Sequence, residues 1–298
     1  MKKRGYNVDS ATKYLLLFHY CCEAGWKDLF HLFKHDPDFS QLPNLTASQL
    51  SHITGRSEQH SASILYKLHS LSAEHILATL SEENIHFIPF YDQRYPDVLK
   101  TLPQPPWALF SKGNTGLLSS QKIAVVGSRN GDQYGKESLK QLIPPLVKRN
   151  FTIVSGLAKG IDAFAHEQTI ESKGNTIAVI AGGFNHFYPR ENIGLARQIV
   201  NEGLVLSEYA PHIKPAKWHF PARNRIISGL SKAVLVVQAA KKSGSLITAS
   251  FALEQGIDVF AVPGPITHTL SEGVHELIAD GAKIVHSAED ILVELNGI

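Results

Sequence analysis

The fold is decided by residues 121–162, which read QKIAVVGSRNGDQYGKESLKQLIPPLVKRNFTIVSGLAKGID. The run at 123–126 is short, rich in β-branched residues and continuously apolar, as expected of a strand that is buried on both faces. A helical segment follows it, and residues 151–154 repeat the strand pattern. This strand–helix–strand order predicts a right-handed βαβ unit on a parallel sheet.

The same alternation continues toward the end of the sequence. Further apolar runs predict strands at 176–181, 204–206, 233–237, 259–262 and 283–285. Upstream, residues 81–120 form a transition in which two more short strands are indicated, at 88–90 and 107–110. Proline and glycine interrupt this transition and separate it from the regular alternation.

Residues 1–80 carry a helical pattern. Thr46 before residues 47–53 resembles a capped helix start, residues 61–71 have helical periodicity, and strand-like alternation is missing from this part of the sequence. We therefore expect an α/β protein. A small all-helical domain, residues 1–80, precedes an extended Rossmann-like domain with a parallel sheet, residues 81–298.

Composition and charge limit the class of function. Residues 121–225 contain 14 Lys and Arg against 8 Asp and Glu, although the whole chain has a net charge of only +2. This concentration of positive charge suits a polyanion site. The adjacent Cys21 and Cys22 are expected to be reduced, which indicates a cytoplasmic protein. The sequence lacks an apolar run of about 20 residues and any clustered metal ligands, so we expect no membrane insertion and no metal.

Small and basic residues follow the predicted strands, at the sheet edge where open α/β sheets bind their ligands. The residues concerned are Gly127, Ser128, Arg129, Ser155, Gly156, Lys159, Gly182, Gly183, Lys241, Lys242 and Ser243. Glycine and serine let backbone N–H groups approach an anion, and each following helix adds the positive end of its dipole. The sequence therefore predicts a phosphate site at this edge.

The motifs of catalysis are missing. The sequence has no GxGxxG fingerprint, no GxxxxGK[ST] loop and no GxSxG elbow. Asp162 and His166 share a helix face, but no nucleophile is evidently paired with them, and we favour a helix-capping role for Asp162. We expect neither a catalytic residue nor a cofactor, and therefore a protein that is not an enzyme.

The segment KPAKWHFPARNRIISGLS at 214–231 interleaves basic residues with aromatic rings. Cations that follow a phosphate backbone, beside rings that stack on unpaired bases, are typical of single-strand binding. We expect Lys217, Phe220 and Arg223 to contact the nucleic acid. A core position is an equal alternative for Trp218, and for Arg225 a structural salt bridge is the better interpretation.

Six ordered motifs resemble the DprA/Smf family of DNA-processing proteins. They are GSR at 127–129, SGLAKGID at 155–162, FPARNRIISGLS at 220–231, SGSLITA at 243–249, FAVPG at 260–264 and LIADGA at 277–282. The resemblance implies a mediator of recombination in natural transformation. Such proteins bind and protect incoming single-stranded DNA, load the RecA recombinase past single-strand-binding protein, and act as homodimers. The N-terminal helices are compatible with the family's sterile-alpha-motif-like (SAM-like) domain.

The resemblance also implies roles for individual residues. Gly127, Ser128 and Arg129 would form a phosphate pocket assisted by Lys159, while Lys217 and Phe220 would supply charge and stacking. Three positions depart from the family pattern, namely Gln238, Ile257 and His275. Residues 277–278 and 284–285 are our candidates for the dimer surface.

Two other classes stay open at this point. A Rossmann-like nucleoside monophosphate phosphoribohydrolase usually shows PGGxGTxxE. The corresponding stretch here is SGSLITASFALE, which keeps Glu254 but not the glycine loop. The third class is an interaction scaffold whose phosphate site has no nucleic-acid role.

Overall fold

The computed structural model describes residues 9–21 and 25–296. The chain divides into two compact units. The first comprises the residues up to Asp92 together with Pro106–Leu109, and the second comprises Gln93–Pro105 and the residues from Phe110 onward. Cys22 lies outside the described residues, whereas Cys21 is buried, with its Sγ 3.8 Å from the Ile64 carbonyl oxygen. Within the described ranges, no helix is long and apolar enough to cross a membrane.

The first unit is mainly helical. Its elements are α1 (Ser10–Cys21), α2 (Trp26–His35), α3 (Ala47–Thr54), α4 (Glu58–Ser70), α5 (Ala73–Glu82) and strand β1 (His86–Pro89). The Thr46 hydroxyl accepts from the Gln49 N–H at 3.3 Å, and the Gln49 side chain accepts from the Thr46 N–H at 2.8 Å. This capping box confirms the helix start predicted there.

The second unit alternates strands with helices. Its elements are β2 (Ala108–Gly113, whose first two residues belong to the first unit), α6 (Asp97–Lys100), β3 (Lys122–Val126), α7 (Gln133–Lys148), β4 (Thr152–Ser155), α8 (Ile161–Glu171), β5 (Thr176–Ile180), α9 (Ile193–Glu202), β6 (Leu204–Ser207), α10 (His219–Gly229), β7 (Ala233–Val236), α11 (Gly244–Glu254), β8 (Asp258–Ala261), α12 (Glu272–Ala279), β9 (Lys283–Ile284) and α13 (Ala288–Asn296). Every strand predicted from the apolar runs is present.

The sheet of the second unit has the strand order β2-β6-β5-β4-β3-β7-β8-β9. All its neighbours are parallel except β2, which pairs antiparallel with β6. In the central register Ile123 lies between Ile153 of β4 and Ala233 of β7. The carboxyl ends of β3, β4, β5 and β7 therefore meet at one edge, as predicted, and we call this the carboxyl edge.

An apolar layer packs α7 against the sheet. Leu139, Leu142, Ile143 and Leu146 recur at helical spacing on α7 and are buried in one core with residues of β3 and β4. Truncating one such side chain to alanine costs about 2–5 kcal/mol in a well-packed core. The loops of the carboxyl edge therefore extend from strands that are packed in a well-filled apolar core.

Candidate nucleic-acid interface

Two adjacent cavities lie at the carboxyl edge, and the larger one is where the strand order reverses, between β3 and β7. Open α/β sheets bind ligands at such a switch point. This cavity has a volume of about 500 Å³. Its walls come from the loops after β3, β4 and β7 and from α8, α10 and α11, and include Gly127, Ser128, Arg129, Ala158, Asp162, Phe220, Arg223, Asn224, Lys242, Ser243, Gly244, Ser245, Ile247 and Thr248.

The chemistry of the larger cavity favours an anion. It opens on the N-terminus of α11, where the Ser243 hydroxyl accepts from the Ser245 N–H at 3.4 Å. Two exposed cations, Arg129 and Lys242, stand on its walls. The Asn224 side chain donates to the Gly244 carbonyl at 3.2 Å and so fixes α10 to the start of α11. A helix dipole with two cations is a recurrent arrangement for phosphate.

The smaller cavity lies beside it, beyond the ends of β4 and β5, and has a volume of about 170 Å³. Its walls are Arg129, Asn130, Gly156, Ala158, Lys159, Ile180, Ala181, Gly182, His186, Tyr188, Pro189, Pro215, Phe220 and Arg223. The ring of Tyr188 meets the ring of Phe220 edge-on, with the centroids 5.8 Å apart. The smaller cavity is therefore lined by rings and aliphatic side chains together with the cations Arg129, Lys159 and Arg223.

An exposed cation and an aromatic ring form a wall that both cavities share. The Arg129 guanidinium lies over the Phe220 ring, 5.4 Å from its centroid. This distance is within the range of a cation–π interaction. A second exposed cation of the smaller cavity, Lys159, forms an ion pair with Glu191. The structure thus brings the predicted Arg129, Lys159 and Phe220 together.

Hydrogen bonds to Gln238 fix the loop that carries Arg129. The Ser128 N–H donates to the Gln238 carbonyl at 2.7 Å. The buried Gln238 side chain accepts from the Asp132 N–H at 3.1 Å and donates to the Asp132 carboxylate at 2.8 Å. A Cβ on Gly127 would lie 2.7 Å from the Ile161 side chain, so this glycine also permits close packing of α8. Gln238, one of the departures from the family pattern, therefore positions the loop.

A buried ionic pair lies under both cavities. Arg223 is 5% exposed; it donates from Nη1 to the Val179 carbonyl at 3.3 Å, and Nη1 lies 4.0 Å from the Asp162 carboxylate. That carboxylate also accepts from the N–H groups of Gly156 and Ala158, at 3.2 and 3.3 Å. Asp162 therefore braces the loop before α8, and this corrects the helix-capping role that we favoured from the sequence.

His166 takes no part in the surface chemistry. It is fully buried, and its Nδ1 lies 2.6 Å from the Thr176 hydroxyl, which itself donates to the Ile153 carbonyl. Because a hydroxyl has only one proton to give, Nδ1–H donates to Thr176. Burial, with the nearby Arg223 charge as a smaller cause, lowers the pKa of His166 to about 3. The ring is therefore neutral at physiological pH.

Two predicted phosphate contacts are corrected by the structure. Ser155 is fully buried, and its hydroxyl donates to the Val125 carbonyl of the neighbouring strand at 2.6 Å. The Gly183 N–H donates to the Ile213 carbonyl at 2.8 Å, and a Cβ there would lie 2.1 Å from the Ala210 oxygen. Neither Ser155 nor Gly183 lines a cavity, and both residues pack against neighbouring backbone. Gly182 lines the smaller cavity, where Pro215 packs closely against it.

Two of the predicted basic contacts, Lys217 and Lys241, lie outside the two cavities. Both side chains are exposed, and Lys241 lies 3.7 Å from the Glu276 carboxylate. Their contacts with nucleic acid stay predictions. Trp218 is 73% exposed, which excludes the core position that we considered for it. Arg225 donates to the Glu208 carboxylate at 2.6 Å, which confirms the structural salt bridge.

Several residues of the site were not singled out from the sequence. Tyr188, Pro189 and Pro215 line the smaller cavity, and Asn224 and Ile247 line the larger one. Tyr188 and Pro189 belong to the loop after β5, and their position after a predicted strand is the sequence signal that could have identified them. Among the described residues, no group of three His, Cys, Asp or Glu side chains could hold a metal ion.

The fold and the site define a Rossmann-like protein with an anion-favouring carboxyl edge, and known proteins share this architecture. A family model described as DNA recombination-mediator protein A matches residues 86–296. DNA processing protein DprA of Bacillus subtilis (strain 168) is 46% identical over 270 residues, which cover 90% of this chain and 89% of that protein. DNA processing protein DprA of Streptococcus pneumoniae R6 is 49% identical over 219 residues, covering 73% and 77%.

Solved structures agree. The X-ray structure of DprA from S. pneumoniae superposes with a TM-score of 0.83 at 39% identity and covers 96% of this chain and 99% of that one. A Helicobacter pylori DprA structure, described as revealing a single-stranded DNA binding mode, has a TM-score of 0.65 at 31% identity, covering 71% and 95%. The chain therefore belongs to the DNA recombination-mediator protein A family, also called DprA/Smf.

Proposed function

We propose that this protein binds single-stranded DNA along its carboxyl edge and changes no covalent bond of the DNA. The observation that carries the proposal is the wall formed by Arg129 and Phe220, which borders both cavities. A cation for the phosphate backbone and a ring face for an unstacked base are the two elements of single-strand recognition. The H. pylori relative, whose description names single-stranded DNA, supports this assignment.

The chemistry of the cavity walls suggests a path for the DNA strand. The larger cavity, with the α11 N-terminus and Lys242, takes phosphate. Arg129 reaches the next phosphate from the shared wall, and Phe220 stacks on a base. A duplex keeps its bases paired and stacked inside the helix, so it cannot offer one to the ring. We therefore expect single strands to bind more tightly than duplexes.

The direct test is a fluorescence-anisotropy titration of labelled oligo-dT and of a duplex of equal length, at two salt concentrations. The expected result is tighter binding of the single strand, with an affinity that falls as salt rises because counterions are released. Equal affinities for the two DNA forms would contradict the proposal.

Within the cell, we propose that the protein acts in the cytoplasm as a homodimer that protects incoming transforming DNA and loads RecA recombinase past single-strand-binding protein. Membership of a recombination-mediator family supports this role. At the candidate dimer surface, Ile284 is 44% exposed on the edge strand β9. RecA filament assembly on single strands covered by single-strand-binding protein tests the loading. An unchanged assembly rate on adding this protein would contradict it.

The phosphoribohydrolase alternative receives no support from the position of Glu254. This exposed residue ends α11, about 15 Å along the helix from the anion-favouring N-terminus, and lines neither cavity. Incubation with AMP and other nucleoside monophosphates tests the alternative. We expect no release of base or phosphate above a control without protein, and steady release would establish an enzyme.

A further inference from the structure

Thr248 brings an unsatisfied hydroxyl to the larger cavity. The residue lies on the second turn of α11, lines this cavity and is only 1% exposed. Its hydroxyl makes no hydrogen bond with any of the described residues. Buried hydroxyl groups are normally paired, so an unpaired one that borders a cavity indicates the acceptor of a ligand.

The start of the same helix is open to the larger cavity. A Cβ built on Gly244, the first residue of α11, would meet no atom within 4 Å. The hydroxyls of Ser243 and Ser245 lie 2.7 Å apart at this point, and both residues line the cavity. The helix dipole and the hydroxyls of Ser243, Ser245 and Thr248 therefore act on one space, where they favour an anion with several acceptor oxygens.

The charge of the larger cavity suits a phosphate that carries more than one negative charge. Arg129 and Lys242 are exposed cations on its walls. Asp162, the acidic residue of these walls, accepts from two backbone N–H groups and lies 4.0 Å from the Arg223 guanidinium, which offsets its charge. A phosphate within a DNA strand has two free oxygens and one charge. A phosphate monoester has three free oxygens and a charge of about −1.5 to −2 at pH 7.

The floor of the larger cavity also suits the end of a strand. It is formed by buried residues, among them Val126, Ile227 and Thr248. A terminal phosphate seated on this floor lets the strand continue in one direction, past the wall of Arg129 and Phe220. A phosphate within the strand would have to lead two chain segments away from the same floor.

We propose that the larger cavity holds the terminal phosphate of a DNA strand, so that the protein binds phosphorylated strand ends more tightly than hydroxyl ends. The hydroxyls of Ser243, Ser245 and Thr248 donate to the phosphate oxygens, together with the N-terminus of α11. Lys242 supplies positive charge, and Arg129 lies toward the next phosphate. The proposal rests on the single-strand binding proposed above and adds recognition of a strand end to it.

The test uses unlabelled oligo-dT strands as competitors of labelled oligo-dT in an anisotropy titration. The strands end in two hydroxyls, in a 5′ phosphate or in a 3′ phosphate, and a hydroxyl-ended strand one nucleotide longer controls for the added charge. We expect at least one phosphorylated strand to bind about tenfold more tightly than the hydroxyl-ended strand, because it gains hydrogen bonds to a charged group. The longer control should gain much less. The phosphorylated strand that gains identifies the end, 5′ or 3′, that is bound.

If neither phosphorylated strand binds more tightly than the longer control, the proposal is overturned. Failure of the hydroxyl-ended strand to compete at all would contradict the proposed function instead, so the two failures are distinguishable. These measurements use the unaltered protein and do not depend on any variant folding.

A variant assigns the preference to the larger cavity. Thr248→Val removes the hydroxyl and keeps the shape of the side chain, and it should remove most of the gain from the terminal phosphate. The matched control is Ser250→Ala on the same helix, which should keep the gain. The Ser250 hydroxyl donates to the Leu246 carbonyl at 3.0 Å and lines neither cavity. An undiminished gain in Thr248→Val would overturn the assignment, and if that variant does not fold, the strand ends decide.

Discussion

The Arg129 guanidinium lies 5.4 Å from the centroid of the Phe220 ring, and this contact joins the loop after β3 to the start of α10 on the wall that both cavities share. The ring orients the cation, and the cation limits the motion of the ring. This contact favours one arrangement of the two side chains, and it would lower the entropic cost of binding the single-stranded DNA proposed above. The effects of changing either residue should therefore exceed those of changing an exposed neighbour.

Phe220→Ala should weaken oligo-dT binding by about 1–3 kcal/mol, because it removes a base-stacking surface. The melting temperature should change little, since the ring is only partly buried. Anisotropy and differential scanning calorimetry measure the two quantities. Trp218→Ala is the control, because this ring is 73% exposed and lines neither cavity. A large loss of stability in Phe220→Ala would show that the ring belongs to the core.

Arg129→Ala should weaken binding and flatten its salt dependence. Removal of one phosphate contact lowers the slope of log K against log salt by about 0.7 for a single strand. The control is Arg149→Ala, an exposed residue that follows α7 and precedes β4 at the opposite edge of the sheet. Titrations at several salt concentrations give both slopes. If the two variants show the same slope as the unaltered protein, Arg129 makes no phosphate contact.

Gly156→Ala should destabilise the protein. The added methyl group would lie 1.3 Å from Arg223 Nη1, and overpacking of this kind costs about 1–3 kcal/mol or more. Gly194→Ala on α9 is the matched control, since no atom lies within 4 Å of its added Cβ, and alanine stabilises a helix by about 0.5–1 kcal/mol. Urea denaturation compares them. Equal stability of both variants would show that Arg223 moves aside freely.

The buried His166 makes stability depend on pH. Its folded-state pKa of about 3 lies below the ordinary 6.5, so the unfolded chain binds the proton first as pH falls. The contribution is complete above pH 6.5 and is lost progressively below it. Between pH 7.5 and about pH 5 the loss amounts to about 2 kcal/mol.

Urea denaturation at the two pH values measures this loss. His166→Gln should show a smaller difference than the unaltered protein, whereas His286→Gln, which changes an exposed histidine, should not. An unchanged pH dependence in His166→Gln would mean that other groups cause it.

Most of the sheet could be predicted because its strands are buried on both faces. Runs such as Ile123–Val126 are apolar throughout, so each strand can be recognised in the sequence without knowing which strands lie beside it. The pairing direction of β2 was not predictable. A short apolar run indicates a strand but carries no direction, and only the register of Phe110 with Ser207 reveals that it is antiparallel.

The site was predicted in part, because the ends of the predicted strands are visible in the sequence. Sequence order shows which residues follow a strand, and so it placed Arg129 and Lys159 at one edge. Phe220 was predicted separately, from the basic and aromatic residues of 214–231 and from the resemblance to the DprA/Smf family. It does not show where each hydrogen-bonding group is satisfied. Ser155 donates to a neighbouring strand and the Gly183 N–H to Ile213, and both partners are far away in the sequence or belong to another loop. The burial of Arg223 beneath the cavities likewise depends on tertiary packing.

Photo-cross-linking tests the central claim most directly. A single strand that carries 5-iododeoxyuridine is irradiated on the protein, and the modified peptides are identified by mass spectrometry. We predict adducts on Phe220 or Tyr188, the rings of the smaller cavity. Adducts confined to the opposite edge of the sheet, in the peptide around Arg149, would contradict the account.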